Sequence, residues 1–252
     1  MLSETRKEEI LDLLKKNGSV KVTQLSTLFK VSEVTIRNYL TDMEKKGLLS
    51  RIHGGAISSY KPYYSMNMTQ RLETNQPEKV DIANKVATLI EPNDTIMLNS
   101  GTTTLLAFRT FPTEYNLNIV TNSVAIALEA SSNPNYNVVL IGGAINTKYQ
   151  FSFGGDTVSQ LRNYHADKFI LSVDGIDLEN GYTTYYDKEA EVDRVMIEQS
   201  DKCIVVADFS KFHRNAFVKI SDTSVADCIV TNASIGKDIL DEFEEAGIQI
   251  II

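Results

Sequence analysis

Asn99-Ser100-Gly101-Thr102-Thr103-Thr104 follows one apolar stretch, Thr95–Leu98, and opens a second. Where a strand turns into a helix, a glycine lets the backbone turn tightly, and free N–H groups, the positive end of the helix dipole and three hydroxyl donors converge on one point. That arrangement seats an anion, and a phosphate monoester suits it. The same residues also suit a plain capped helix. The run is neither a Walker loop, for no Gly-Lys-Ser or Gly-Lys-Thr follows, nor a G-x-G-x-x-G turn, so ATP and NAD are poor fits.

Further polar groups follow other apolar runs: Thr121-Asn122-Ser123; Gly142-Gly143; Asp174-Gly175-Ile176-Asp177, with Gly181-Tyr182-Thr183-Thr184 and Glu189 beyond; and Asp208-Phe209-Ser210-Lys211-Phe212. Asp and Glu accept from sugar hydroxyls, Asn both donates and accepts, and Lys211 adds a cation for a phosphate. Taken singly, each Asp or Lys also suits a loop cap or a surface charge.

Those groups need elements to hold them. Val80, Ile82, Ala83, Val86, Ala87, Leu89 and Ile90 make Glu78–Ile90 an amphipathic helix stopped at Pro92. Beyond it, strands are expected at Thr95–Leu98, Leu117–Val120, Asn137–Ile141, Lys168–Val173, Cys203–Ala207, Ala226–Val230 and Ile248–Ile252. Helices are expected at Thr103–Arg109, Val124–Ala130, Val158–Asn163, Glu189–Ser200 and Lys237–Ala246. Such alternation gives an α/β fold with a mostly parallel sheet covered on both faces, and its ligands lie beyond the carboxyl ends of the strands. The polar groups above gather at those ends.

The opening residues carry a different chemistry. Residues 1–60 have ten Lys/Arg against seven Asp/Glu, the remainder fifteen against twenty-six, and the whole chain is at −8. A basic head on an acidic body is the footprint of nucleic-acid binding confined to one module, although so small an excess is also ordinary scatter. Ser3 caps a first helix, Ser3–Lys16, with Ile10, Leu11, Leu13 and Leu14 at helical spacing. Val20-Lys21-Val22 is too short for an independent strand. Thr23 caps a second helix carrying Leu25, Leu28 and Phe29, Lys30-Val31 turns, and Ser32 caps a third, Glu33–Lys46, with Ile36, Leu40 and Met43 on one face. Leu48–Ile57 reads as two strands around Gly54-Gly55, a wing bearing Arg51 and His53.

Residues 1–57 are therefore expected to form a winged helix-turn-helix. At 100° per residue Val34, Asn38, Thr41 and Lys45 lie opposite the buried stripe, flanked by Thr35, Arg37 and Asp42, and should face the major groove of DNA with Ser32 at their head. Asn pairs with adenine and an exposed Val packs on a thymine methyl, which points to an A·T-rich half-site. The other arrangement packs Val34 on the preceding helix and leaves Asn38 on phosphate. Arg6, Lys21, Lys30, Arg51 and His53 are expected on phosphates, or each on a solvated face.

Residues 58–76, from Ser58 to Gln76, lack clean periodicity and read as a linker to a body at 77–252. No run approaches the roughly 18 apolar residues that cross a bilayer, and the N-terminus is charged throughout, so no membrane partner is expected. Cys203 and Cys228 lie in apolar runs without metal-ligand spacing and read as buried reduced thiols of a cytoplasmic chain, with no structural zinc and no cofactor.

VSEVTIRNYLTDMEKKG followed by SRIHGGA resembles the N-terminal signature of the DeoR family of bacterial transcription regulators, usually close to VSEETIRRDLxxLexxGxlxRxHGGA. Where the family has Glu, Arg and Asp, this chain has Val34, Asn38 and Tyr39, so its base preference should differ. The body resembles the family's effector domain, which is similar to ribose-5-phosphate isomerase and CoA transferases. With the head included, the likeness covers nearly the whole chain. It implies a repressor of a sugar-catabolism operon, controlled by a phosphorylated sugar: phosphate on Gly101, Thr102 and Thr103, and sugar near Asn122, Asp174, Glu189 and Lys211. Asn99, Ser100, Thr104, Gly142, Gly143 and Gly175 complete the candidate set, with Asn99 standing where Asp is common.

The isomerases carry a Lys followed by glycines after their paired acids, whereas Gly181-Tyr182-Thr183-Thr184 has no cation. Enediol chemistry needs a base and a stabilised oxyanion, so binding is favoured over turnover. An active isomerase with a vestigial head, and a winged helix that docks protein, are the alternatives. One recognition helix reads too few base pairs for a unique address, so a symmetric homo-oligomer on repeated operator half-sites is expected.

Overall fold

The computed structural model describes residues 3–17, 19–45, 48–52, 54–58 and 66–252. The chain divides into two compact units, Met1–Met66 and Asn67–Ile252.

In the first unit, helices Ser3–Asn17, Val22–Phe29 and Glu33–Lys45 enclose Ile10, Leu14, Leu25, Phe29, Ile36, Leu40 and Met43. Ile36, Leu40 and Met43 are fully buried, as their spacing along one helical face requires. Lys30 ends the second helix in the left-handed region, φ 52°, and Val31 N–H donates to the Ser26 carbonyl at 3.2 Å while Ser26 Oγ donates to the Val31 carbonyl at 2.6 Å. These bonds close the tight turn. Thr23 is not the cap of the second helix, which starts at Val22 with Lys21 in the cap position, because Val22 is itself buried in the core.

Ser19–Lys21, expected to be too short, is a strand (β1) because it borrows a partner. It pairs antiparallel with Gly55–Ser58 (β3), whose other side holds Leu49–Ile52 (β2). Gly55 permits that approach: a Cβ there would meet the Val20 carbonyl oxygen at 2.1 Å. The helices and this three-stranded wing make a winged helix-turn-helix.

The second unit opens inside the stretch expected as linker. Residues 59–65 lie outside the described set, but Met68–Glu73 is a helix, with Asn67 and Gln70 each accepting at 3.0 Å from the other's backbone N–H. This reciprocal cap stabilises six residues that show no apolar period. Helix Gln76–Ala87 follows.

Seven strands then form one sheet. In chain order they are β4 (Thr95–Leu98), β5 (Leu117–Thr121), β6 (Tyr136–Leu140), β9 (Ala166–Ser172), β12 (Ser200–Val206), β14 (Cys228–Val230) and β15 (Ile250–Ile251), and across the sheet the order is β15-β14-β12-β9-β4-β5-β6. Every neighbouring pair is parallel. Successive residues face opposite layers. Ile96, Leu98, Ile204 and Val206 pack with Ile82, Val86 and Leu105 on one face, while Met97, Cys203 and Val205 pack with Val192, Val195 and Met196 of helix Asp187–Glu198 on the other. Cys203 and Cys228 fall in opposite layers, buried and free.

Smaller elements sit at the strand ends. β7 (Ala144–Asn146) and β8 (Phe151–Phe153) form a hairpin, and β10 (Gly175–Asp177), β11 (Gly181–Thr184) and β13 (Val218–Ser221) form an antiparallel sheet. Among the described residues no helix is long and apolar enough to cross a membrane.

Candidate functional site

Strand order reverses at β4: the chain first adds β5 and β6 on one side, then β9, β12, β14 and β15 on the other. The crevice of an open α/β sheet lies at such a reversal, beyond the carboxyl ends of the two central strands. The segments there are Asn99-Ser100-Gly101 after β4 and Val173-Asp174 after β9.

Asn99 fastens the two together. Its Nδ2 donates to the Ser172 carbonyl at 2.9 Å, its Oδ1 accepts from Ser172 N–H at 3.1 Å and from Thr104 Oγ1 at 2.9 Å, and Nδ2 also reaches Asp193 Oδ1 at 3.3 Å. Both Asn99 and Thr104 are fully buried. Their side chains brace the junction rather than present themselves to solute. Thr102 and Thr103 are buried as well, while Gly101, as cap of helix Thr102–Phe108, offers no side-chain acceptor to the amides of the first turn.

A polar network spreads from Ser100. Ser100 Oγ donates to Glu189 Oε1 at 3.2 Å; Thr184 Oγ1 lies 2.5 Å from Glu189 Oε2 and 3.3 Å from Asp174 Oδ2; Tyr185 N–H donates to Asp174 Oδ2 at 3.2 Å. One hydroxyl proton cannot serve two carboxylates. Burial and the neighbouring Asp174 push the Glu189 carboxyl above the ordinary carboxylate range, against Thr184, Arg71 and Ser100. Thr184 Oγ1 thus sits between the two carboxyls, within hydrogen-bonding distance of each. Burial and Glu189 push Asp193 up further still.

Cations close the site. Arg71 Nη1 donates to Asp174 Oδ1 at 3.3 Å, and its guanidinium lies 4.4 Å above the Tyr149 ring, itself 4.8 Å from Tyr186. Lys211, on the turn Phe209–Lys211 after β12, is buried; burial pulls its ammonium down to about 8 against the opposing pull of Asp208 and Asp174. Burial raises the Asp208 carboxyl, but Lys211, Lys79 and the Ser210 hydrogen bonds outweigh it and hold the group below its ordinary value. Asn75, at φ 51°, donates to Asp208 Oδ1 at 3.1 Å, so the segment before the sheet is tied to the site twice.

Other candidates stand apart from this group. Asn122 is fully buried, its Nδ2 donating to the Ser152 carbonyl of β8 at 3.1 Å. Gly142 and Gly143 lie after the edge strand β6. Thr157 Oγ1 donates to the Gly142 carbonyl at 2.8 Å and would lie 2.1 Å from a Cβ on Gly143, so Gly143 serves packing. Gly175 is closed in by the Arg214 carbonyl, 2.5 Å from a Cβ placed there.

In the first unit the exposed face of the third helix is as the helical spacing requires. Val34 is 64% exposed and does not pack on the preceding helix; Asn38, Arg37 and Lys45 are exposed, and Thr35 is half-buried. Ser32 Oγ accepts from Thr35 N–H at 3.2 Å, Arg37 reaches Glu33 at 2.9 Å, and Arg51 of β2 donates to Thr41 Oγ1 at 2.7 Å. Wing and helix thus share one polar surface. His53 lies outside the described residues.

Two family models match the chain: the DeoR-like helix-turn-helix domain over residues 6–61, and the DeoR C terminal sensor domain over residues 74–233. The chain belongs to the DeoR family. It is 35% identical to a putative aga operon transcriptional repressor of Escherichia coli O157:H7, over 98% of this chain and 93% of that one. It is 32% identical to the glycerol-3-phosphate regulon repressor of Escherichia coli K12, over 90% of each. Among solved structures, ribose 5-phosphate isomerase A from Methanocaldococcus jannaschii matches with a TM-score of 0.42 and 15% identity over 55% of each chain. The DeoR-family chain is a DNA-binding transcriptional regulator.

Sequence reasoning missed Arg71, Lys79 and Tyr149 at this DeoR-family site. Arg71 fell in the presumed linker; the signal that could have found it is the Asn67-x-x-Gln70 cap, which marks a helix start four residues ahead.

Proposed function

We propose that the first unit of this DeoR-family regulator reads operator DNA as a repressor, and that the second binds a small phosphorylated sugar whose presence sets the grip on DNA. The observation that carries the effector half is the set of buried cations, Arg71, Lys79 and Lys211, each within electrostatic reach of at least one of Asp174, Glu189 and Asp208. Buried charge is costly without compensation. A phosphate dianion placed among these cations offsets the cost of burying them. Ser100 and the amides following Gly101 supply neutral donors, and the acids accept from sugar hydroxyls. Loss of grip on binding is the sign we assign, which requires the ligand to bind the released form better than the DNA-bound one.

Val34 and Asn38 read an A·T-rich half-site, with Arg37 and Lys45 facing the same groove, Arg51 and His53 hold phosphates, and a symmetric oligomer spans repeated half-sites in the cytoplasm. On this reading the second unit performs no reaction: the segment Gly181–Thr184 after the acids carries no lysine, and the cation on Asp174 is Arg71, from a different element.

A thermal-shift screen of the full chain against pentose and hexose phosphates tests the effector, with free sugars as control. A ligand confined to the folded state raises the melting point as ln(1 + [L]/Kd). No rise with any phosphate ester would overturn the sensor, and interconversion of those esters at ordinary enzymic rates would overturn the absence of turnover.

A further inference from the structure

A hydrogen-bonded path runs from the turn after β4 to the helix that opens the second unit. Ser100 Oγ is 3.2 Å from Glu189, Glu189 and Asp174 share Thr184 Oγ1 at 2.5 and 3.3 Å, and Asp174 holds Arg71 at 3.3 Å. Arg71 lies on Met68–Glu73, and the division between the units falls between Met66 and Asn67. From the other side Lys79 Nζ donates to the carbonyls of Arg71 and Thr74 at 2.5 and 2.7 Å, so this helix is gripped at backbone and side chain alike. The ring under the guanidinium belongs to Tyr149, just before β8, and Tyr149 rests on Tyr186, the cap of helix Asp187–Glu198 that also carries Glu189. Asp174 and Tyr149, which the Arg71 side chain meets, therefore lie on segments that build the strand-end site.

We propose that Arg71 is the positioning residue that couples occupancy of this site to the chain joining the two units, a role that rests on the effector assignment above. A hydroxyl or phosphate oxygen taken up at Ser100 and Glu189 competes for the proton that Thr184 shares with Asp174, and the change at Asp174 is felt by the guanidinium it holds. Arginine suits the task because its fork can exchange one oxyanion for another without losing its charge. The role requires two arrangements, Arg71 on Asp174 as in this structure and Arg71 displaced from it, because a bistable element of that kind is what transmits a signal. Displacement moves a helix that is covalently continuous with the chain leading back to the reading head.

The test uses the full chain, a duplex selected by it from a random library, and whichever ester of ribose 5-phosphate, glucose 6-phosphate, galactose 6-phosphate and glycerol 3-phosphate gives the largest thermal shift. The readout is the ratio of DNA dissociation constants with and without saturating ester, so that altered ester affinity cancels. In the wild type a ratio of about 5 to 150 is expected. In Arg71→Gln, measured at ester concentrations raised to saturation for that variant, it should fall toward one while DNA affinity without ester persists, and Arg71→Lys should restore part of it. Tyr149→Leu, which removes the ring but leaves Asp174 in place, should lower the ratio as well and decides the matter if Arg71→Gln does not fold. A wild-type ratio in folded Arg71→Gln or in Tyr149→Leu overturns the coupling role and leaves the effector assignment standing. Absence of any melting shift in the wild type overturns both.

Discussion

A Cβ on Gly101 would come within 2.0 Å of Ser172 Oγ and 2.3 Å of Ser172 Cβ. The cause is Asn99, whose amide bonds both the carbonyl and the N–H of Ser172 and so draws the ends of β4 and β9 together. Gly101→Ala should therefore destabilise the ligand-free protein by about 1–3 kcal/mol of overpacking and lower its melting point accordingly. Adding Ser172→Gly should recover much of that loss. Scanning calorimetry of both variants checks it, and an unchanged melting point in Gly101→Ala alone would show that the approach is not tight.

Asp193 Oδ2 has no hydrogen-bond partner among the described residues, and the carboxyl is held far above its ordinary 3.8 by burial and Glu189. A carboxyl whose folded pKa is raised stabilises the fold below the unfolded value, and that contribution is lost as pH rises through the folded one. Asp193→Asn keeps the acceptor for Asn99 and removes the titration. Its melting point should exceed the wild type's by an amount that grows as pH rises from about 4, at about 2–4 °C per kcal/mol for a chain of this size. A pH-independent difference would sink the assignment.

Lys211, at about 8, gives effector binding an upper pH limit. Below pH 8 the ammonium is already charged and meets the dianion as it stands; above it a proton must be taken up, so affinity falls by up to tenfold per pH unit. Phosphate esters lose their second proton near pH 6, which sets a lower limit. Calorimetric titration of the chosen ester from pH 5 to 10 should give a bell, and Lys211→Arg should flatten its alkaline side. A wild-type curve level to pH 10 contradicts the role of Lys211.

On the DNA side, Asn38→Ala and Arg51→Ala should differ in kind. The first relaxes preference at one base position by about 1–3 kcal/mol; the second weakens all sequences alike and lowers the slope of log affinity against log salt by about one. Selection from random duplexes, repeated at several salt concentrations, separates them. Equal effects on preference would place Asn38 on the backbone.

Strong local periods were legible in the sequence. Ile36, Leu40 and Met43 name a buried face, and Ile204-Val205-Val206 names a strand covered on both sides, because those patterns depend on neighbours a few residues away. β1, β7 and β10 were not legible, since three residues show no period and exist as strands through partners elsewhere in the chain. The site divided in the same way. Ser100, Asp174, Glu189 and Lys211 are brought together where strand-end chemistry expects them, whereas Asn99 and Thr104 turn inward, because the pairing of β4 with β9 leaves amide and hydroxyl facing each other. Arg71 escaped notice because nothing in its own surroundings announces a partner 103 positions away.

Every described buried residue of the head's core lies between Ile10 and Ala56, and its wing is closed by β1 from the same stretch. Nothing in that core is borrowed from the sensor, so the head is a transplantable cassette. A graft of another family member's first 58 residues onto this body would redirect the regulator to new promoters without retuning the metabolite that commands it, which is how one architecture can be rewired across many genes by recombination.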